Sequence, residues 1–175
     1  MRNFKEDIAL VKAFAFDVDG VFTDGSLSVG LDTDFIRTYY ARDGFAVVTA
    51  IKRGYKVAII TGGRGESISR RFGLMGVEDI YLGCNEKLPA ITDFMQKHNL
   101  SPEEVMYVGD DIPDVAPMKV VGMPVCPKDA AVEVRAISRY VSGFPGGRGC
   151  VRDVVEQVLR ARDDWFDGTT DVPSV

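Results

Sequence analysis

The sequence predicts an α/β fold: a doubly wound, mostly parallel sheet with a protruding β-hairpin. Three observations carry that expectation. Short apolar runs alternate with amphipathic stretches, as strands alternate with crossover helices. Two of the runs, Val57-Ala58-Ile59-Ile60 and Val105-Met106-Tyr107-Val108, are apolar throughout, as in parallel strands covered on both faces. One segment, residues 26–40, breaks the alternation with two β-rich halves around a polar centre.

Taken in order, residues 13–16 are the first apolar run, closed by Asp17-Val18-Asp19-Gly20. The hairpin follows, with Leu27-Ser28-Val29 and Phe35-Ile36-Arg37-Thr38-Tyr39-Tyr40 flanking a polar centre at 30–34. It carries too many apolar residues for a free-standing, solvated hairpin, so its arms are expected to pack against other subunits. A helix is expected over 45–53, a strand over 56–60 and a helix over 66–72. A short strand at 79–81 then leads to a helix over 87–99. The strand at 105–108 runs into Gly109-Asp110-Asp111-Ile112-Pro113-Asp114, and a helix over 114–119 opens beside Pro113, where proline suits a first turn. Strand 121–125, helix 130–134, strand 140–141 and helix 150–162 complete one domain, residues 1–162. The tail, 163–175, is polar apart from Trp165-Phe166. No internal repeat and no second domain are visible.

At 175 residues and 46% apolar content the chain suits one well-buried domain. The charge balance is 26 acidic against 21 basic residues, net −5, without a Lys/Arg block, so neither nucleic acid nor an anionic membrane is an expected partner. No apolar run approaches the roughly 20 residues needed to span a bilayer. The first residues lack a signal-peptide core. Cys84, Cys126 and Cys150 are widely spaced and odd in number, forming neither a disulfide framework nor a metal-type pair. A cytoplasmic protein with reduced thiols is expected. The single His98 sits where a helix frays and reads as a capping or solvated residue.

Four elements have chemistry suited to phosphate. Side chains two apart on an extended segment point the same way, so Asp17 and Asp19 leave a strand end on one side. Such a pair is costly unless a cation or a phosphoryl group uses it. Thr61-Gly62-Gly63 ends a strand with a hydroxyl and open backbone N–H groups before a helix, which favours an oxyanion. Lys87 opens a predicted helix. Asp110, Asp111 and Asp114 follow a buried strand and suit a hard cation; the plainer alternative is an acidic loop capping the next helix. In open α/β sheets ligands bind beyond the carboxyl ends of the strands, where Asp17, Thr61 and Asp110 all fall.

In this order, Asp17-Val18-Asp19-Gly20, Thr61, Lys87 and Gly109-Asp110-Asp111-Ile112-Pro113-Asp114 resemble the motifs of the haloacid-dehalogenase-like phosphotransferase superfamily. The resemblance implies a Rossmann-like core and magnesium-dependent phosphoryl transfer through an aspartyl-phosphate. It makes Asp17 the nucleophile and Asp19 the group that protonates the leaving oxygen and then takes a proton from water. Thr61 and Lys87 would hold phosphate oxygens. Magnesium would lie between Asp17, the main-chain carbonyl of Asp19, and Asp110, with Asp111 and Asp114 orienting the metal site and Lys87 from behind. Between Asp19 and Thr61 there is room for the hairpin and one helix, and between Thr61 and Lys87 for one helix and a short strand. No cap domain fits, so either the substrate is large or another subunit supplies the lid.

The run Asp19-Gly20-Val21-Phe22-Thr23-Asp24-Gly25, the hairpin, Arg42-Asp43-Gly44-Phe45 and Gly146-Gly147-Arg148-Gly149-Cys150-Val151-Arg152-Asp153-Val154 are similar to the 3-deoxy-D-manno-octulosonate 8-phosphate phosphatase family. That similarity implies a homotetramer whose hairpins build a central barrel and whose active sites are completed by neighbours. Arg71 matches the position that reaches a neighbour's substrate carboxylate, which a guanidinium can grip by both oxygens. Gly62, Arg64 and Arg148 are further substrate-binding candidates. Two departures matter. Many such phosphatases read Thr-Gly-Arg where this chain has Thr61-Gly62-Gly63, with arginine one place later at Arg64. Phosphatases of nine-carbon, sialic-acid-type 9-phosphates typically carry glutamate at the third position, and Gly63 lacks it, which favours the eight-carbon sugar. The tail also departs, so no residue from 163 onward is carried over. The expected function is hydrolysis of the eight-carbon sugar phosphate in lipopolysaccharide precursor synthesis. The alternatives are a nine-carbon keto-sugar 9-phosphate phosphatase and a non-catalytic tetramerisation module; intact Asp17, Asp19, Thr61, Lys87 and Asp110 argue against the latter.

Overall fold

The computed structural model describes residues 4–29 and 34–166. Its centre is β1 (Ala13–Phe16), in which every residue is buried. The two-residue period of a strand sends Phe14 and Phe16 to one face and Ala13 and Ala15 to the other. The phenylalanines stack at 6.0 Å, and Phe16 meets Phe22 edge-on at 5.3 Å. The alanines leave space for helices to approach the opposite face.

Around β1 lie β2 (Lys56–Ile60), β3 (Asp79–Tyr81), β4 (Val105–Val108), β5 (Met123–Cys126) and β6 (Tyr140–Val141), in the spatial order β3-β2-β1-β4-β5-β6. All five pairings are parallel. α1 (Phe4–Ile8), α2 (Ala41–Lys52) and α7 (Cys150–Ala161) belong to the layer on the phenylalanine face, α4 (Leu88–Lys97), α5 (Val115–Met118) and α6 (Val132–Ile137) to the other, and α3 (Glu66–Leu74) buries Ile68 and Phe72 in the first. In α7, Val151, Val154, Val155, Val158 and Leu159 recur at helical spacing and are buried against α2. The strand order reverses between β1 and β4, which opens a crevice beyond their carboxyl ends. No helix among the described residues is long and apolar enough to cross a membrane.

The expected strands and helices are present, with shifted ends. α2 starts at Ala41, before the expected 45, because Asp43 and Gly44 are buried in its first turn. In sequence, Arg42-Asp43-Gly44 lies before the expected helix. In the fold, Asp43 Oδ1 accepts the Arg152 N–H at 2.7 Å and so caps α7. Burial pushes the Asp43 carboxyl up to about 6, partly opposed by the amides of Arg152 and Gly149. β5 begins at Met123 rather than 121, since the Gly122 N–H is turned to the Pro102 carbonyl at 2.7 Å. α6 runs later than the expected 130–134, because the Ala131 N–H is held by the Asp110 carbonyl at 2.8 Å. α1 was not anticipated: five residues are too few to show a period.

Two segments differ more from expectation. Within 26–40, the described residues form one antiparallel bridge, Ser28 with Ile36, rather than a two-stranded ladder. Of the expected centre at 30–34, residues 30–33 lie outside the described residues. Val29 and Ile36 are 73% and 64% exposed, so no described residue covers these two side chains, whereas Tyr39 on the second arm packs edge-on against Phe72 at 5.9 Å. The tail is not wholly polar surface either. Tyr55 donates its hydroxyl to Asp164 Oδ2 at 2.8 Å, and Trp165 is buried between Phe45 and the Arg152 guanidinium, 4.5 Å above its ring. Packing thus continues past Arg162; the expected tail residues 167–175 lie outside the described residues.

Candidate active site

Register sets the site. Phe16 pairs with Val108 on one side and with Ile59 on the other, so Asp17, Gly109 and Ile60 are level at the carboxyl edge. The Asp17 N–H bonds the Val108 carbonyl at 3.0 Å, and Thr61 N–H bonds the Tyr81 carbonyl at 3.0 Å. These extensions of the ladder hold both residues at the mouth of the crevice. A cleft of about 1050 Å³ opens above them.

Of the residues singled out in the sequence, the fold brings Asp17, Asp19, Thr61, Gly62, Arg64, Lys87, Asp110, Asp111 and Asp114 onto this one cleft. Lys87 is almost fully buried, just before α4, and its ammonium lies 2.8 Å from Asp17 Oδ1 and 2.7 Å from Asp114 Oδ1. Burial pulls the lysine down, but the two carboxylates outweigh it and its pKa is raised. Lys87 is therefore a fixed cation.

Asp114 is engaged at both oxygens. Its Oδ1 accepts from Lys87 and from the Tyr107 hydroxyl at 2.8 Å, and its Oδ2 accepts the Asp110 N–H at 3.0 Å. It ties the second acidic loop to Lys87. Asp111 is exposed on the cleft rim, and its N–H reaches Asp114 Oδ2 at 3.4 Å.

Asp17 and Asp110 are different. Asp110 Oδ1 is buried with no hydrogen-bond partner among the described residues. Burial first, then the charges of Asp17 and Asp114, push Asp110 up to about 8. Burial and the Asp114 charge push Asp17 up to about 7, against the pull of Lys87. Asp17, Asp110 and Asp114 each offer an oxygen within 4.8 Å of the others. Crowded, desolvated carboxylates with an orphaned oxygen fit a hard divalent cation, whose charge would relieve both penalties. Gly20 makes the crowding possible: at φ +95° it presents no side chain, and a Cβ there would lie 1.9 Å from Asp110 Oδ2.

Thr61 is buried, and its Oγ1 accepts the Gly63 N–H at 3.0 Å, bending the loop over the cleft. Arg64 is exposed at the rim. Arg71 and Arg148 lie elsewhere. Because α3 turns Ile68 and Phe72 inward, Arg71 faces the Tyr39 ring at 5.6 Å rather than its own chain's cleft; its Nε is buried without a partner among the described residues. Arg148 lies 3.9 Å from Asp24 and lines a separate groove with Arg42, Phe144 and Arg152.

Sequence reasoning missed Asp34, Arg37, Cys84, Asn85 and Tyr107. The first four line the cleft and Tyr107 buttresses Asp114. Tyr107 did carry a signal, as the one hydroxyl inside a continuous apolar strand. Arg37 had none, being one charge in a β-rich arm.

Residues 77–149 match the family described as haloacid dehalogenase-like hydrolase. The chain is 35% identical over 152 residues to the Escherichia coli K12 3-deoxy-D-manno-octulosonate 8-phosphate phosphatase KdsC, covering 87% of this chain and 81% of that protein. The crystal structure of the Yersinia pestis 3-deoxy-D-manno-octulosonate 8-phosphate phosphatase superposes with a TM-score of 0.89 at 33% identity, covering 91% of this chain and 86% of the other. That of the Moraxella catarrhalis phosphatase, in complex with magnesium ion, phosphate ion and KDO, superposes at 0.88 with 29% identity and 92% coverage of both chains.

Proposed function

We propose that this chain, which belongs to the 3-deoxy-D-manno-octulosonate 8-phosphate phosphatase family and is a phosphatase, hydrolyses the eight-carbon sugar phosphate through a phosphorylated Asp17. The observation that carries this reading is the arrangement of Asp17 at the strand crossover, with Lys87 fixed on one oxygen and Asp110 left with an orphaned oxygen beside it.

Asp17 attacks phosphorus, and the sugar oxygen leaves. Asp19, two residues on and partly exposed to the cleft, gives its proton to that oxygen; in the second half-reaction it takes one from the water that attacks the phosphoenzyme. Lys87 and Thr61 hold phosphate oxygens, and the Gly62 amide lies beside them. Tyr107 and Asp114 keep Lys87 in place. Asp17, Asp110 and the Asp19 carbonyl would hold Mg²⁺, which offsets carboxylate and phosphoryl charge when bound. Gly63 leaves the cleft without the carboxylate suited to a nine-carbon substrate. The product would serve lipopolysaccharide precursor synthesis, in the cytoplasm.

Phosphate release from the eight-carbon 8-phosphate and a nine-carbon 9-phosphate tests this reading. With magnesium, kcat/KM for the eight-carbon substrate should be higher by at least about tenfold. EDTA should abolish activity and calcium should inhibit, because its longer bonds and higher coordination misplace the carboxylates. Preference for the nine-carbon ester would overturn the substrate, and full activity in EDTA the metal.

A homotetramer completes the proposal. Leu27, Val29, Phe35 and Ile36 are all exposed on one hairpin, an apolar surface that a lone chain leaves uncovered. Joint replacement Val29→Asp and Ile36→Asp should dissociate the assembly in light scattering. Activity on the sugar phosphate should fall much further than on an aryl phosphate, since the nucleophile belongs to one chain and the lid to several. Arg71→Ala should show the same substrate-selective loss without dissociation, because its unpaired Nε is proposed to serve a neighbour's substrate carboxylate. A fully active monomer would refute the shared site.

A further inference from the structure

We infer that Arg37 is a positioning residue for Asp19, supplied by the hairpin of the same chain folding back over its own cleft. This rests on the reading that Asp19 exchanges a proton with the leaving oxygen and with water.

Arg37 Nε donates to Asp19 Oδ1 at 2.7 Å and its second terminal nitrogen donates to Oδ2 at 2.9 Å. This fork-on-fork geometry fixes the plane of the carboxylate as well as its place. The arginine side chain is only 3% exposed, although Phe35, Ile36 and Thr38 beside it are exposed. One side chain of this arm is thus drawn down into the cleft.

Two further features seat it. Asp34, on the same arm, accepts the Ser67 N–H at 3.0 Å, which ties the hairpin to the first turn of α3. Gly63 leaves the guanidinium its space. A Cβ there would lie 3.0 Å from Arg37's terminal nitrogen and 2.7 Å from Ile68 Cδ1. The phosphate loop and the hairpin therefore fit together around one guanidinium.

The clamp does not block Asp19. A carboxylate has about four lone-pair sites. Arg37 uses one on each oxygen, and the others remain for the leaving oxygen or a water. Fixing the carboxylate matters because a misplacement of about 1 Å at a reacting group can cost about 100-fold in rate. Asp19 has no other side-chain hydrogen-bond donor among the described residues, so its orientation depends on Arg37.

The test uses the full-length protein with magnesium and two small esters that lack a carboxylate: 2-glycerol phosphate, whose alkoxide needs protonation, and p-nitrophenyl phosphate, whose phenolate does not. Arg37→Ala should lower kcat on the alkyl ester by about 10- to 100-fold and on the aryl ester by less than about threefold. Arg37→Lys, which keeps one donor, should recover part of the loss. In an Asp19→Asn background, Arg37→Ala should add nothing on either ester. Equal losses on both esters, a rise in KM with kcat unchanged, or additive effects with Asp19→Asn would each overturn the assignment. Asp19→Asn alone separates the two levels. If it leaves the alkyl ester unaffected, the acid–base reading of Asp19 falls. If it shows the leaving-group-dependent loss and Arg37→Ala does not, only the role of Arg37 falls.

Discussion

Asp17→Asn is expected to lower turnover by at least about 10⁴-fold while leaving fold and assembly intact. The amide is nearly isosteric and can still lie beside Lys87. It cannot form an acyl phosphate or hold a cation as an anion. Stability should not suffer much. Asp17 is a buried carboxylate raised to about 7 by burial and by Asp114, so a neutral side chain removes a desolvation cost. Lys87 keeps Asp114 at 2.7 Å as its counter-charge. The check is steady-state kinetics beside a thermal melt. Turnover within tenfold of the parent would remove Asp17 from the mechanism.

Lys87→Ala should damage both activity and stability. Its ammonium bridges Asp17 and Asp114 in a site where it is 5% exposed. Without it two buried carboxylates face each other uncompensated. Removing one partner of a buried ion pair costs roughly 3–5 kcal/mol, and losing one pre-placed donor to a transferring group costs about 10²–10³ in kcat. Added magnesium should recover part of the stability, because a cation between Asp17 and Asp110 supplies some of the missing charge, but not the turnover. Denaturant melts with and without magnesium, paired with kcat, separate the two effects. A variant as stable as the parent without magnesium would show that Lys87 does not balance this cluster.

Much of this was legible in the sequence, for physical reasons. Asp17, Thr61 and Asp110 each follow an apolar run buried on both faces, and a parallel sheet brings such ends to one edge whatever the helix boundaries. Lys87 was legible by its place in the motif order, and Asp114 as a group that orients it; the Tyr107 hydroxyl on Asp114 needed the fold. Arg37 was not legible at all. Its role comes from a close approach between a hairpin arm and the loop after β1, which local periodicity does not encode. The same holds for Asp43, whose capping of α7 joins two helices distant in the chain, and for Trp165, which packs between the distant Phe45 and the Arg152 guanidinium. Arg71 illustrates the converse. Its sequence position suggests a substrate contact, yet within one chain it lies over Tyr39, so any such contact belongs to an assembly.

Asp17 is expected to carry the phosphoryl group during turnover. Trapping tests it most directly: the enzyme is acid-quenched during turnover with magnesium and substrate, reduced with borohydride, digested and read by mass spectrometry. An acyl phosphate on Asp17 is reduced to homoserine, so homoserine is expected at position 17, dependent on substrate and magnesium. An unmodified Asp17 under conditions of a clear burst of the leaving sugar alcohol, or homoserine at another aspartate, would remove Asp17 as the carrier.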